Sequence, residues 1–225
     1  NSTLKLAASA AHTQGHKLVG AEAFTAMAEQ SRWLEHPYAL KAAGDTAFAL
    51  GVNRLLFHRY AMQPHPDAVP GMTMGPWGIH YERTCTWFEQ SAPWIEYLAR
   101  SQFMLQQGKH VADVLYFTGE GAPQRSRRTV PELPYGYDFD AIDEATLISR
   151  TSVRDGRIVM PDGASFRLLA LPPDLASITP PLARHLQKLA DAGATIVLGS
   201  RPIYSPTLRE TSPPVSELTK LWNKP

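Results

Sequence analysis

VADVLYFT, at residues 111–118, is the stretch that decides the fold. Its apolar residues follow one another without the alternation of a half-exposed strand, and such runs are typical of strands buried on both faces of a parallel sheet. Two further short runs have the same character, FRLLAL at residues 166–171 and ATIVL at residues 194–198. We predict that the first two of these segments lie in one mainly parallel sheet, continued by the third.

Helical segments alternate with the strands. Residues 180–191 follow Thr179, a favourable N-cap, and Gly193 comes just after their end. The first half of the chain repeats the alternation, with helices predicted at 4–14, 38–50 and 85–107 and strands at 17–24 and 52–60. Strands that alternate with helices predict an α/β fold with mainly parallel sheet, and Asp155-Gly156 adds a hairpin.

Composition excludes several classes of function. The 225 residues contain one cysteine, Cys85, and carry a net charge of +1. A single cysteine forbids an internal disulfide and any multi-cysteine metal site. The near-neutral charge gives no electrostatic basis for binding nucleic acid or an anionic membrane, and no apolar run approaches the roughly 18 residues of a spanning helix. Nucleic acid and membranes are therefore not expected as partners.

Two polar residues lie where parallel strands end, which is where ligands bind in such sheets. Glu22 lies in the otherwise apolar run VGAEAF (19–24), and His58 lies near the end of the next predicted strand. Glu22 is either a structural residue paired with Arg54 or Arg59, or a site carboxylate whose pKa is tuned by burial. His58 is either a satisfied core histidine or a second site residue.

The connection at residues 61–84 is unusually long and carries Trp77 and His80. Aromatic faces stack on sugar rings or pack as apolar anchors, and both readings stay open for this loop. Three acidic residues recur at a spacing of seven, which is typical of a solvated helix face: Glu82, Glu89 and Glu96. Glu120, after the strand at 111–118, is a second candidate carboxylate. Residues 119–136, with Arg125, Arg127 and Arg128, are the predicted linker.

Long ordered blocks of the sequence resemble one known family. The blocks are AEAFTA (21–26), GVNRLLFHRYAMQP (51–64), PGMTMGPWGIHYERTCTWF (70–88), YLARSQFMLQQGKHVADVLYFTGE (97–120) and PYGYDFDAI (134–142). Together they resemble the α-L-rhamnosidases of glycoside hydrolase family 106, and the resemblance extends over nearly the whole chain. Such blocks are far more specific than a short motif.

The resemblance implies a larger parent protein with a (β/α)₈ barrel followed by a flavodoxin-like α/β domain. A barrel of this kind needs about 250 residues, so residues 1–108 would supply only its last strand–helix units, with the seventh and eighth strands. Residues 109–210 would be the flavodoxin-like domain with its parallel sheet. Residues 211–225 would begin a following segment. No signal peptide pattern occurs in these residues, and the parent's location, periplasmic or secreted, stays open.

The resemblance also implies hydrolysis of terminal α-L-rhamnosyl residues with inversion, helped by calcium. The partner would be a rhamnose-containing oligosaccharide, polysaccharide or glycoside. Inversion needs an acid and a base carboxyl. Glu22 corresponds to the general base, while His58, Trp77 and His80 would line the sugar subsite. The acid, expected in a DSxE-like block, and the aspartate expected to hold calcium are absent from this sequence.

Other readings remain. Glu120 and Glu82 rank next as catalytic carboxylates if Glu22 is structural. The chain is otherwise a non-catalytic carbohydrate-binding or structural α/β module, or part of a β-galactosidase-like glycosidase with Glu22 as nucleophile. Because the acid is missing, we expect the 225-residue chain alone to be inactive.

Overall fold

The computed structural model describes residues 2–121, 132–206 and 215–223. These residues form two compact units. One unit is made of residues 18–108, and the other joins residues 2–17 to the chain from Lys109 onward. The predicted linker arginines, Arg125, Arg127 and Arg128, lie outside the described residues.

The described elements combine helices with parallel strands, which confirms the α/β class. In chain order they are α1 (Ser2–Gln14), β1 (Gly20–Ala23), α2 (Pro37–Ala49), β2 (Arg54–Phe57), α3 (Ala92–Leu105), β3 (Val114–Phe117), β4 (Phe139–Ile142), α4 (Glu144–Arg150), β5 (Ser152–Arg154), β6 (Arg157–Val159), β7 (Ser165–Phe166), β8 (Leu168–Ala170), α5 (Pro180–Asp191), β9 (Thr195–Val197) and α6 (Val215–Leu218). Of the helices described, none is long and apolar enough to cross a membrane.

The first unit is built on two parallel strands. β1 pairs with β2 so that Gly20 lies opposite Arg54 and Ala23 opposite Phe57. Helices α2 and α3 bury apolar side chains in one cluster with the loop residue Ile79, namely Leu40, Trp94 and Leu98. The helix predicted at 85–107 is shorter in the structure. It begins at Ala92, after a 3-10 turn at Glu89–Ser91, because the ring of Pro93 is tolerated only in a first turn.

The second unit contains a four-stranded, wholly parallel sheet in the order β4-β3-β8-β9. Val114 lies opposite Leu168, so the prediction that residues 111–118 and 166–171 share one sheet is confirmed. Leu115, Leu169 and the α5 residue Leu182 are fully buried in one core. Thr179 caps α5 as predicted, with its side chain accepting from the amide of Leu182.

Helix α1 packs within the second unit, against β4. Asp140 of β4 is buried, accepts a hydrogen bond from the Ser9 hydroxyl at 3.0 Å, and lies 3.0 Å from Nδ1 of His12. We expected residues 1–108 to form one segment, but these contacts attach the first helix to the other unit. Strand β4 was not among the strands predicted from the sequence.

Two smaller features complete the second unit. Strands β5, β6 and β7 form an antiparallel sheet whose first turn, Asp155-Gly156, has φ angles of 51° and 72°. Positive φ at both central residues is what a tight hairpin requires, so the predicted hairpin is confirmed. Near the end of the chain, Leu218 and Leu221 are buried in the core of this unit, although residues 211–225 were expected to begin a following segment.

Candidate active site

Glu22 and His58 lie at the same edge of the two-stranded sheet. Glu22 is the third residue of β1, opposite Leu56, and His58 follows directly after β2. The amide of His58 donates to the carbonyl oxygen of Ala23 at 3.0 Å, so the two segments remain side by side just past the strand ends. The two residues chosen from the sequence are thus brought to adjacent strand ends, as predicted.

The carboxylate of Glu22 is exposed, not buried in the apolar run around it. Its Oε1 accepts a hydrogen bond from the Thr25 hydroxyl at 2.7 Å. Among the described residues it forms no ion pair with Arg54 or Arg59, so the geometry gives no support to a structural ion pair. Burial was expected because the neighbouring residues are apolar. In a strand, however, successive side chains point to opposite faces, and Ala23 takes the buried one.

Ile79 holds the loop that follows β2 close to His58. The amide of Ile79 donates to the carbonyl oxygen of His58 at 3.0 Å. The amide of Arg59 donates in turn to the carbonyl oxygen of Ile79 at 3.2 Å. His58 is half-buried, and its Nδ1 has no hydrogen-bond partner among the described residues. This nitrogen is itself buried, so any contact with a ligand would be made by the other atoms of this half-buried side chain.

The two loop residues predicted for the sugar subsite lie in different environments. Trp77 is 42% exposed, whereas His80 is buried at 4%. Nε2 of His80 contacts the carbonyl oxygen of Gly75 at 2.8 Å, and its ring stacks on the indole of Trp33 with centroids 3.8 Å apart. Burial lowers the pKa of His80, against a smaller opposing effect of the Gly75 carbonyl. His80 is therefore a neutral, inner residue near pH 7.

Trp33 is the residue that the sequence analysis missed. It lies in the loop after β1 and is 43% exposed. Trp33 contacts His80 because two loops about 45 residues apart meet at the strand ends. A local sequence pattern does not predict such a contact. An aromatic residue in the loop after a candidate catalytic strand was the only signal available.

Glu82 and Arg59 form a buried charged group behind this loop. Glu82 was expected on a solvated helix face, but it is buried in a turn, where Thr84 donates to it from its amide at 2.7 Å and from its hydroxyl. Burial lowers the pKa of Arg59, while the negative charge of Glu82 raises it. Nε and Nη2 of Arg59 have no partner among the described residues. Hence Glu82 cannot meet a substrate without a rearrangement of the loop.

Glu120 lies in the second unit, just after β3. Its two carboxylate oxygens accept from the amide of Thr179 at 3.0 and 3.1 Å. Burial raises its pKa, and the nearby carboxylate of Glu144 raises it further. Glu120 thus accepts from the backbone amide of the N-cap residue of α5. This contact accounts for a carboxylate at this position by a structural role.

A family model described as alpha-L-rhamnosidase, glycoside hydrolase family 106, matches residues 1–225. The chain belongs to this family. The resemblance drawn from the sequence is thereby confirmed over its whole length.

Relatives of this family-106 chain are much longer than the chain itself. A putative beta-glucuronidase of Formosa agariphila is 40% identical over 225 residues, which cover 98% of the chain and 19% of that protein. The solved structure of a rhamnosidase from Novosphingobium sp. has a TM-score of 0.86 and 33% identity, covering 99% of the chain and 22% of that structure. The chain therefore spans about a fifth of the proteins it matches.

The family-106 resemblance implies calcium, and the one group of His, Cys, Asp or Glu ligands that lies together among the described residues does not suit this ion. Among them, one group of three possible metal ligands lies together, with ligand atoms within 4.8 Å: His12, His110 and Asp140. The two imidazoles are stacked, with centroids 4.1 Å apart and planes inclined by 14°. A ring nitrogen binds in the plane of its ring, so these parallel rings cannot aim at one ion. Calcium also prefers about six to eight oxygen ligands.

Proposed function

We propose that this chain supplies the general base, Glu22, and part of the sugar-binding surface of an inverting α-L-rhamnosidase. The observation that supports the proposal is the exposed carboxylate of Glu22 at the carboxyl end of a parallel strand, beside His58 on the next strand. Active sites of (β/α)₈ enzymes lie at this end of the strands. Family membership makes glycoside hydrolysis the chemistry to assign.

Glu22 would take a proton from the attacking water. The Thr25 hydroxyl holds one of its oxygens, which leaves the other free to accept from water on the face of the sugar opposite the leaving group. The second carboxyl, the acid that protonates the leaving oxygen, would lie roughly 6.5–9.5 Å away and come from residues outside this chain. We also assign any calcium ion to residues outside those described, and no step here uses it.

His58 and Trp77 are proposed to contact the sugar directly. His58 is half-buried, so part of its side chain remains open to a sugar hydroxyl, and the indole of Trp77 is partly open. His80 is buried, so it would shape the subsite from behind and not by contact. A rhamnose-containing oligosaccharide, polysaccharide or glycoside is the proposed partner.

The architecture we propose agrees with this assignment. β1 and β2, each followed by a helix, would be the seventh and eighth strands of a (β/α)₈ barrel. The order β4-β3-β8-β9 reads 2-1-3-4 when the strands are renumbered along the chain, which is the beginning of the flavodoxin-like order. The second unit would thus be the domain that follows the barrel.

Glu22→Gln in the full-length enzyme tests the proposal. The substitution keeps size and removes the base, so kcat on an α-L-rhamnoside should fall by roughly 10²–10⁴-fold with KM nearly unchanged. Glu29→Gln, the same change at an exposed loop residue, is the matched control. Normal kcat in a well-folded Glu22→Gln enzyme would return Glu22 to a structural role and make Glu120 or Glu82 the next candidates.

The stereochemistry of the first product separates the enzyme alternatives. Proton NMR of an early reaction mixture should show β-L-rhamnose, the inverted anomer. The retained anomer would indicate a β-galactosidase-like mechanism with Glu22 as nucleophile, which needs carboxyls roughly 5–5.5 Å apart. A wild-type enzyme that binds L-rhamnose but hydrolyses no glycoside would indicate the non-catalytic module.

A β-D-glucuronide is the second substrate candidate. It is favoured by the putative beta-glucuronidase that is 40% identical to this chain. Comparing kcat/KM on aryl α-L-rhamnoside and aryl β-D-glucuronide decides between the two sugars, and we expect the rhamnoside to be preferred because the family model and the solved relative both carry the rhamnosidase name.

A further inference from the structure

The indole of Trp33 lies flat on the imidazole of His80. Their ring centroids are 3.8 Å apart and their planes are inclined by 21°. His80 covers one face of the indole from inside the molecule, and Trp33 remains 43% exposed. The second face of a large, rigid aromatic ring is thus presented outward, in the loop that follows the strand of Glu22.

His80 is fixed before any ligand arrives. It is buried, and its Nε2 contacts the carbonyl oxygen of Gly75 at 2.8 Å. A ring held on one edge by a hydrogen bond and on one face by stacking cannot turn freely. The indole that rests on it is therefore held at a set angle.

The backbone around Trp33 is held in an unusual conformation. Arg32 and Trp33 have φ angles of 45° and 59°, in the left-handed region that residues other than glycine rarely occupy. Such conformations are energetically unfavourable and cluster at ligand-binding sites, where the surrounding structure imposes them. Here the neighbouring Ser31 is fully buried, and its hydroxyl donates to the carbonyl oxygen of Gly78 at 2.5 Å.

This anchoring connects Trp33 to the residues of the candidate site. The amide of Gly78 donates to Ala26 in the loop after β1, and Ile79 is hydrogen-bonded to His58 after β2. The loop of Trp33 and the loop of His80 are therefore joined at the same strand ends that carry Glu22 and His58. A tryptophan that served only to fill the core would be covered on both faces.

We infer that Trp33 is a stacking platform for a sugar ring of the bound glycoside and that His80 is its positioning residue. The inference rests on the proposed function, since it names a substrate contact of that site. The apolar face of a sugar ring packs on an indole face, which contributes binding energy equally in the ground state and the transition state. Loss of the platform should therefore act on KM more than on kcat.

The test uses the full-length enzyme and two probes, an aryl α-L-rhamnoside as substrate and L-rhamnose as inhibitor. Trp33→Ala should raise KM and the inhibition constant of L-rhamnose about tenfold or more, with kcat changed by less than about threefold. Trp33→Phe, which keeps an aromatic face, should stay within about threefold of the wild type. His80→Ala should raise KM about three- to tenfold, and Leu34→Ala, an exposed neighbour, should change neither constant.

The outcomes separate this inference from the proposed function. A wild type that hydrolyses rhamnosides, a Glu22→Gln variant that does not, and a folded Trp33→Ala variant with unchanged KM and inhibition constant would overturn the platform alone. If Trp33→Ala fails to fold, Trp33→Leu keeps an apolar contact with His80 and lacks the aromatic face, and unchanged constants in that variant overturn the inference equally. A wild type that neither hydrolyses rhamnosides nor binds L-rhamnose overturns both.

Discussion

Gly78 lies so close to His58 that a Cβ on Gly78 would stand 2.6 Å from the carbonyl oxygen and 2.8 Å from Nδ1 of His58. Its φ of 72° is in the left-handed region. Two hydrogen bonds join Gly78 to the loop after β1. Its amide donates to the carbonyl oxygen of Ala26, and its carbonyl oxygen accepts from the hydroxyl of Ser31. One glycine thus permits the two loops at the candidate site to meet.

Gly78→Ala should destabilise the first unit by at least about 2 kcal/mol. A left-handed alanine costs roughly 1–2 kcal/mol, and the overpacking against His58 adds roughly 1–3 kcal/mol. Gly75→Ala is the matched control, because Gly75 has a φ of 65° but open space around its would-be Cβ. Urea unfolding of the two variants measures the difference, and equal destabilisation would contradict the close approach to His58.

Thr25→Val should lower kcat about three- to tenfold and leave KM nearly unchanged. The Thr25 hydroxyl donates to Oε1 of Glu22, and a hydrogen bond to a charged group is worth roughly 1.5–3 kcal/mol before solvent replaces part of it at this exposed position. Thr25→Ser keeps the hydroxyl and should retain most of the activity. If Thr25→Ser fell as far as Thr25→Val, the methyl group and not the hydrogen bond would be responsible.

Asp138→Asn should destabilise the second unit at pH 7 and much less at acidic pH. Burial raises the pKa of Asp138, but His110, Lys5 and the amide of Phe139 outweigh it and hold the pKa well below its usual range. A depressed folded-state pKa stabilises the fold above the unfolded value of about 3.9, and this stabilisation is lost as the pH falls further.

Urea midpoints of the wild type and Asp138→Asn at several values between about pH 7 and pH 2.5 measure this effect. The same substitution at exposed Asp67 controls for the change of charge. A gap between wild type and Asp138→Asn that stays constant down to the lowest pH would show that the carboxylate's charge contributes nothing.

The 225-residue chain on its own should not turn over an aryl α-L-rhamnoside. Inversion needs two carboxyls, and we place the acid outside this chain. Glu82, which lies in the same unit as Glu22, is buried and engaged with Thr84. Turnover by the purified chain above that of its own Glu22→Ala variant would show that the acid is present among these residues.

The strands that could be predicted from the sequence are those in which consecutive apolar residues indicate burial. β3, β8 and β9 are continuous apolar runs, and their pairing follows from the parallel-sheet pattern. β4 could not be found in this way because it carries Asp140. The burial of Asp140 depends on its contacts with Ser9 and His12, which lie about 130 residues earlier in the chain.

The candidate site divides along the same line. Glu22 and His58 could be predicted because strand ends are local features and parallel strands bring them together. The stacking of Trp33 on His80 could not, because it depends on how two irregular loops meet. The burial of Glu82 was likewise hidden, since a spacing of seven carries no information once the segment is a turn.

The attachment of α1 to β4 has a consequence for synthesis on the ribosome. His12 meets Asp140, 128 residues later, so the side of the first helix that becomes buried, with Lys5, Ala8, Ser9 and Thr13, leaves the exit tunnel long before its cover exists. At roughly 5–20 residues per second, the wait is about 6 to 25 s. During that time the helix lacks the hydrogen bonds from Ser9 and His12 to Asp140, and fast translation of residues 18–139 would shorten this interval.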